Sequence, residues 1–178
     1  DRLHEVLSEV MVRNRRSQVA VRFTKRVAQS VEVPLPPAEA AFYADLTREV
    51  RAMSRAGGAP GAMALRTLQA EAGSSPAAVR RTLEGLATRT DLAPDARGRF
   101  EALASRAASL SAGAKASAFL DALRDLPEKV VVFTRFRATL DLLARLLAER
   151  GVEHVVFHGA LTRQDRQEVL RRFQGPAR

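Results

Sequence analysis

The feature that most constrains the fold lies within residues 128–173, where two short apolar runs flank a leucine-rich segment. Val130–Phe133 and Val155–Phe157 are unbroken apolar runs, a pattern typical of strands covered on both faces. Between them, residues 138–150 have leucines at helical spacing, and Gly151 follows as a helix-ending residue. A strand, a helix and a strand within about thirty residues predict a βαβ unit with parallel strands.

The leucines of the predicted crossover helix form a broad apolar side. Leu140, Leu143 and Leu147 share one face, and Leu142 and Leu146 widen it. We therefore expect Leu143 to lie in the core of the unit.

A further helix is expected after the second strand. Thr162 and Asp165 have the spacing of a capping box, which marks a first helical turn. This turn would lie over the carboxyl ends of the strands, where open α/β sheets bind ligands. Arg166 falls in the same turn, so its charge either faces a ligand or is paired by a neighbour.

The first part of the chain contains another strand pattern and an alanine-rich region. Val27–Leu35 ends in alternation, and Pro34 is typical of a sheet edge. A helical pattern follows at 39–55, and the Gly-Gly-Ala-Pro-Gly segment at 57–61 interrupts it. Apolar residues at helical spacing then predict three helices before residue 113. This helical insertion would serve either as a structural cap or as a surface for a protein partner.

Composition limits the possible functions. The net charge is +9, and only three of the 29 basic residues are lysines, Lys25, Lys115 and Lys129. This balance favours a polyanionic partner, with an inert basic surface as the alternative. The chain has no cysteine and three scattered histidines, so a metal site is not expected. The absence of cysteine predicts a cytoplasmic location. No apolar run approaches the roughly 20 residues of a membrane span.

Several segments, in their order along the chain, resemble one protein family. Val130-Val-Val-Phe-Thr-Arg-Phe136 resembles motif IV of superfamily 2 helicases, and the His-Gly…Arg…Phe pattern at 158–173 resembles the block after it. The basic residues 10–19 resemble the segment that follows the first lobe in Snf2-type DNA translocases. Residues 26–46, with Tyr43, resemble their strand and helix, and Ala112–Lys115 resembles the start of their helix before motif IV. The chain is most similar to the Snf2-type translocases, including the branch of the bacterial RNA-polymerase-associated ATPase.

This resemblance implies an α/β fold: a partial RecA-like parallel sheet with flanking helices and an Ala-rich helical insertion. It also implies a division of the chain. The expected parts are a basic connector from a missing first lobe (1–26), the first strand and helix of the second lobe (27–56), the helical insertion (57–113) and the N-terminal half of the second RecA-like lobe (114–178).

The resemblance also implies what binds ATP. In the family, ATP and magnesium bind between two lobes through a Walker A loop and an acidic pair. The chain has no Gly-x-x-x-x-Gly-Lys-[Ser/Thr] sequence, and motifs V and VI would lie beyond Arg178. We therefore expect a piece of a larger motor, in which ATP and Mg bind the parent protein and no catalytic residue lies in this chain.

The family's motif IV approaches the phosphate backbone of the nucleic acid. Thr134 and Arg135 follow the first predicted strand, and a hydroxyl and a guanidinium there bind phosphate without reading sequence. Phe136 is either part of this contact or a lid on the core. His158 is either a ligand contact or a turn residue, and Gly159 permits close approach of the backbone.

Arg163 stands where RNA helicases of the superfamily usually carry Gln, which favours the Snf2 side. The predicted nucleic-acid-binding residues are Thr134, Arg135, Phe136, His158, Gly159, Arg163 and Arg166.

Two hypotheses about function follow. The first is a fragment of an ATP-dependent Snf2-like helicase or translocase that acts on double-stranded DNA or protein–DNA complexes, with RNA left open. Its partners would be DNA and the missing first RecA-like lobe. The second is a non-enzymatic α/β protein-interaction module whose helical insertion binds a protein partner.

Overall fold

The computed structural model describes residues 27–57, 61–110, 112–126 and 128–175. In these ranges the regular elements are seven α-helices: α1 (Pro37–Ala56), α2 (Ala62–Ser74), α3 (Pro76–Ala87), α4 (Pro94–Ser109), α5 (Ala114–Arg124), α6 (Arg137–Glu149) and α7 (Arg163–Gln174). Residues 33–175 belong to one compact unit, and residues 27–32 belong to another. The predicted basic connector, residues 1–26, lies outside the described ranges.

The predicted RecA-like parallel sheet is wrong for this structure: none of the described residues is in a β-strand. Residues 129–134 and 152–158 follow irregular backbone. The side chains of Val130–Phe133 are exposed, with Phe133 at 91%, whereas Val155 and Val156 are half-buried and Phe157 is 52% exposed. Parallel strands are stable when helices cover both faces and several strands pair. The described helices leave Val130–Phe133 exposed and bury Val155 and Val156 only in part, so burial does not favour strand pairing.

The strand predicted within Val27–Leu35 is also not formed. The segment is irregular up to the start of α1, and Val27 and Val31 are 82% and 71% exposed. Alternating valines stabilise a strand only when one face of the strand is buried. The side chains of Val27 and Val31 are exposed, so this condition is not met.

The main hydrophobic core joins α1 to the helices of the insertion. Phe42 of α1, Leu68 of α2, Val79 of α3 and Phe100 of α4 are all fully buried in it. Their burial follows the helical spacing of apolar residues in each segment. The insertion therefore shares its core with α1 and is no separate appendage.

A smaller core lies between α5 and α6. Ala116 and Leu120 of α5 pack with Leu142 and Leu146 of α6. Leu143, which the sequence predicted to be central, is only partly buried at the margin of this cluster. The apolar side of α6 is wide enough that its rotation depends on the partner helix.

A group of hydroxyls connects the insertion to α6. Thr139 is 7% exposed, and its Oγ1 lies 2.8 Å from the Oγ atoms of both Ser74 and Ser75. The Ser75 hydroxyl also accepts a hydrogen bond from the backbone N–H of Ala78, at 3.1 Å, and so caps α3. The junction between α2 and α3 is thereby held against the first turn of α6.

A buried carboxylate connects α1 to α5. Glu39 is 3% exposed, and its Oε2 accepts a hydrogen bond of 2.8 Å from the backbone N–H of Ala114, the first residue of α5. This N–H has no partner within its own helix, and a negative charge is favourable at a helix N-terminus. Tyr43 donates to the Ala72 carbonyl at 2.7 Å and lies 3.4 Å from Glu39 Oε1, so α2 joins the same site.

Gly113 is required at this junction. Its φ of 78° lies in the left-handed region, and a Cβ there would come within 3.0 Å of Pro76 Cδ and 3.2 Å of Glu39 Oε1. Any larger residue would therefore strain the backbone and displace the capping carboxylate.

The capping box predicted for the last helix is confirmed. Thr162 Oγ1 accepts from the Asp165 backbone N–H at 3.1 Å, and the Asp165 carboxylate accepts from the Thr162 backbone N–H at 3.4 Å. In the described part of the chain, none of the helices is both long and apolar enough to cross a membrane.

We expect Leu142→Asp to lower the free energy of unfolding by about 3 kcal/mol or more, because it places a carboxylate without a partner in the core between α5 and α6. Leu126→Asp is the matched control, since Leu126 is 51% exposed and should change stability by only about 0.5 kcal/mol. Urea unfolding followed by circular dichroism measures both. Equal losses for the two variants would contradict the packing of α6.

Burial, and then the charge of Glu39 and its hydrogen bond, raise the pKa of Tyr43 from 10.0 to about 12. The folded protein therefore keeps a proton that the unfolded chain releases, and the free energy of unfolding should fall as pH rises from 10 to 12. Tyr43 is the only tyrosine and the chain has no tryptophan, so phenolate absorbance reports this residue alone.

The titration should show a higher midpoint in the native protein than in urea, and Glu39→Gln should lower the native midpoint. Coincident native and denatured midpoints would show that Tyr43 is not held as described.

Candidate nucleic-acid interface

The first group of predicted site residues lies just before α6. Phe136 is the N-cap residue of α6, and its carbonyl accepts the Leu140 N–H at 3.1 Å. Arg135 is exposed, with its guanidinium carbon 5.3 Å from the centre of the Phe136 ring. A cation–π contact of this kind orients the guanidinium without neutralising it. Arg135 thus presents a free positive charge beside Thr134, which is half-buried.

His158 and Gly159 form a turn after the second irregular apolar run. The His158 carbonyl accepts the Leu161 N–H at 3.2 Å, and its Nδ1 is placed to accept the Ala160 N–H at 3.2 Å. Of the two alternatives for His158, the observed contacts are those of a turn residue. Gly159 is exposed, so its backbone is open to close approach from solvent.

Arg166 is paired by a neighbour. Its Nη2 donates to the Gly159 carbonyl at 2.7 Å, which ties the first turn of α7 to the turn before it. The guanidinium is nevertheless exposed, and a carbonyl is a neutral partner, so its charge stays uncompensated.

Arg163 is the first residue of α7 and is exposed. Across residues 128–175 it takes part in no ion pair. A positive charge at a helix N-terminus opposes the helix dipole, so this position does not serve helix stability.

The structure therefore brings the seven predicted residues together as two groups. One contains Thr134, Arg135 and Phe136, and the other contains His158, Gly159, Arg163 and Arg166. Over the described ranges, no hydrogen bond, ion pair or ring contact joins the groups.

Lys129 has a role that the sequence did not indicate. Its Nζ donates to the carbonyls of Phe173, at 2.6 Å, and Gly175, and it lies 5.7 Å from the centre of the Phe173 ring. A lysine at the carbonyl end of a helix stabilises that end. These partners are 44 and 46 residues away in the chain, so no local pattern could have revealed the contact.

The segment nearest in sequence to a phosphate-binding loop does not fit a nucleotide phosphate site. This segment is Gly113-Ala114-Lys115. The Ala114 N–H is already bound by the Glu39 carboxylate, and Lys115 Nζ donates to the Gly73 carbonyl at 2.5 Å. Both groups that would meet a phosphate are engaged within the protein. The described residues also contain no cluster of three or more side chains that could hold a metal ion.

Comparison with known proteins finds similarity to helicases. The helicase conserved C-terminal domain family matches residues 114–178, which include both groups of the candidate interface. The chain is also 27% identical over 178 residues to a Bacillus subtilis (strain 168) protein named "Uncharacterized ATP-dependent helicase YqhH". This match covers 98% of the chain and 31% of the relative. No solved structure matches the chain significantly.

The domain family and the relative are both helicases, and the family match covers only residues 114–178 of this chain. The chain spans about a third of the length of that relative, 31%.

Proposed function

We propose that the chain is part of an ATP-dependent, Snf2-like helicase or translocase that acts on double-stranded DNA or protein–DNA complexes. Its own contribution would be contact with the phosphate backbone and half of the second motor lobe. The observation that carries the proposal is the helicase C-terminal match over residues 114–178, which contain the exposed arginines 135 and 163. The proposed compartment is the cytoplasm, in keeping with a chain free of cysteine.

The chemistry of the interface supports phosphate contact without sequence readout. Guanidinium groups match the two-oxygen geometry of a phosphate, and contacts of this kind position a nucleic acid without specifying bases. Arg135 and Arg163 are both exposed, and neither is neutralised within the described residues 128–175. A double-stranded DNA ligand is proposed from the Snf2 resemblance. RNA is the alternative, and measuring the binding of both ligands distinguishes the two.

The competing hypothesis of a protein-interaction module finds less support. Within the described residues 61–110 of the insertion, Met63 is the one large hydrophobic side chain that is strongly exposed, at 82%. Protein interfaces are usually centred on a larger apolar patch. The proposed partner of the chain within a longer protein is therefore a first RecA-like lobe that supplies the ATP and Mg sites.

We expect a double variant carrying Arg135→Gln and Arg163→Gln to bind a labelled DNA duplex more weakly. The salt dependence of its binding should also be less steep. Each phosphate contact that is lost should reduce the slope of log K against log salt by about one unit, because fewer counterions are released on binding. Fluorescence anisotropy across a salt series measures this, with single-stranded RNA of equal length as a second ligand.

The matched control is Arg66→Gln with Arg81→Gln. These arginines lie on the insertion, are exposed and form no ion pair within the described residues 61–110. Equal slopes for the two double variants would remove the assignment of the interface to residues 134–166.

We expect no ATP hydrolysis by this chain, with or without DNA. Its sequence has no Walker A loop, and the segment nearest to one uses its amide and its lysine internally. Phosphate release measured on the purified chain tests the expectation. DNA-stimulated release that persists through successive purification steps would contradict it.

A further inference from the structure

Helix α1 separates its charges onto different sides. Its three carboxylates point toward the protein: Glu39 caps α5, Asp45 pairs with Arg106 of α4 at 2.6 Å, and Glu49 accepts from Arg99 of α4 at 2.8 Å. The carboxylates of α1 are therefore used to attach it to its neighbours.

The arginines of α1 lie together on the outer side. Arg48, Arg51 and Arg55 are exposed. Among the described residues they line a shallow open groove along the surface of α1, together with Tyr43, Ala44, Thr47 and Ala52. Arg48 pairs with Asp45 at 2.8 Å, and Arg106 shares that carboxylate. Over residues 33–57 and 61–110, neither Arg51 nor Arg55 forms an ion pair.

Helix stability does not account for this arrangement. Arg51 lies three residues after Arg48 and four before Arg55, and like charges at these spacings repel each other. A cation in the last turn favours the helix dipole, which explains Arg55 but not Arg51. An anion lying along the groove would remove the repulsion.

We propose that the groove formed by Tyr43, Thr47, Arg48, Arg51 and Arg55 binds the phosphodiester backbone of a nucleic acid. This second contact surface lies on α1, outside the residues matched by the helicase domain. The inference rests on the proposed nucleic-acid ligand but not on the assignment of residues 134–166.

The dimensions and chemistry favour a phosphate backbone. At roughly 1.5 Å per residue, Arg48 to Arg55 spans about 10.5 Å. Phosphates of one B-DNA strand follow each other every ~3.4 Å along the axis, so the row could meet about three of them. The small side chains of Ala44 and Ala52 leave room for close approach, and guanidinium groups bind phosphate in a bidentate manner.

An acidic polypeptide is the other polyanion of suitable charge. Peptide recognition usually includes a pocket for an apolar anchor, and alanines in a shallow groove do not provide one. The row of regularly spaced cations suits a regularly charged backbone better.

The test uses two double variants in the same duplex salt series. The groove variant carries Arg51→Gln and Arg55→Gln, and the insertion control carries Arg66→Gln and Arg81→Gln. Both doubles remove two exposed positive charges. The groove variant should flatten the salt slope by about two units and the control should not. Arg51→Lys with Arg55→Lys keeps the charge and should keep most of the slope. Thermal unfolding of each variant establishes that it is folded.

The outcomes separate the two surfaces. If the variant at Arg135 and Arg163 flattens the slope and the groove variant matches the control, the groove proposal is overturned while the proposed function stands. If only the groove variant flattens the slope, the groove proposal holds and the interface at 134–166 fails. No binding by the unchanged protein, or slopes equal to the control for both variants, overturns both.

A second arm uses labelled poly-glutamate. If the groove variant loses poly-glutamate binding but keeps the duplex salt slope, the ligand of the groove is an acidic polypeptide and the proposal is wrong.

Discussion

The described part of the structure depends on one buried carboxylate. Glu39 of α1 accepts a hydrogen bond from the first N–H of α5, a residue 75 positions later in the chain. The segment between these positions contains the rest of α1 and the helical insertion, so this bond closes the insertion at its base. The Glu39 carboxylate accepts from an N–H that has no acceptor within its own helix. It also places a negative charge at the helix N-terminus, where the helix dipole favours an anion. A buried charge without such partners would destabilise the fold.

Other polar contacts reinforce the same junction. Tyr43 ties Glu39 to the end of α2, and Thr139 ties the start of α6 to Ser74 and Ser75. These bonds join the insertion to the segment matched by the helicase domain. The insertion is therefore attached to that segment by hydrogen bonds, and most of the large apolar side chains in its described residues are buried.

The arginines of the chain divide into those used for structure and those left to solvent. Arg99 and Arg106 attach α4 to the carboxylates of α1, and Arg166 holds the turn at Gly159. Arg51, Arg55, Arg135 and Arg163 have no ion pair among the described residues. These four exposed arginines give the polyanion hypothesis specific residues to test.

The sequence by itself determined where most of the described helices lie, because helical spacing and the capping box at Thr162 are local signals. It also pointed to the helicase resemblance, which depends on the order of short motifs. The tertiary structure decided which leucines of α6 are buried, what Glu39 and Lys129 bind, and that the apolar runs at 130–133 and 155–157 do not form a sheet. The physical reason is that strand pairing and core rotation depend on burial by distant segments, and a local pattern contains no information about which segments cover it.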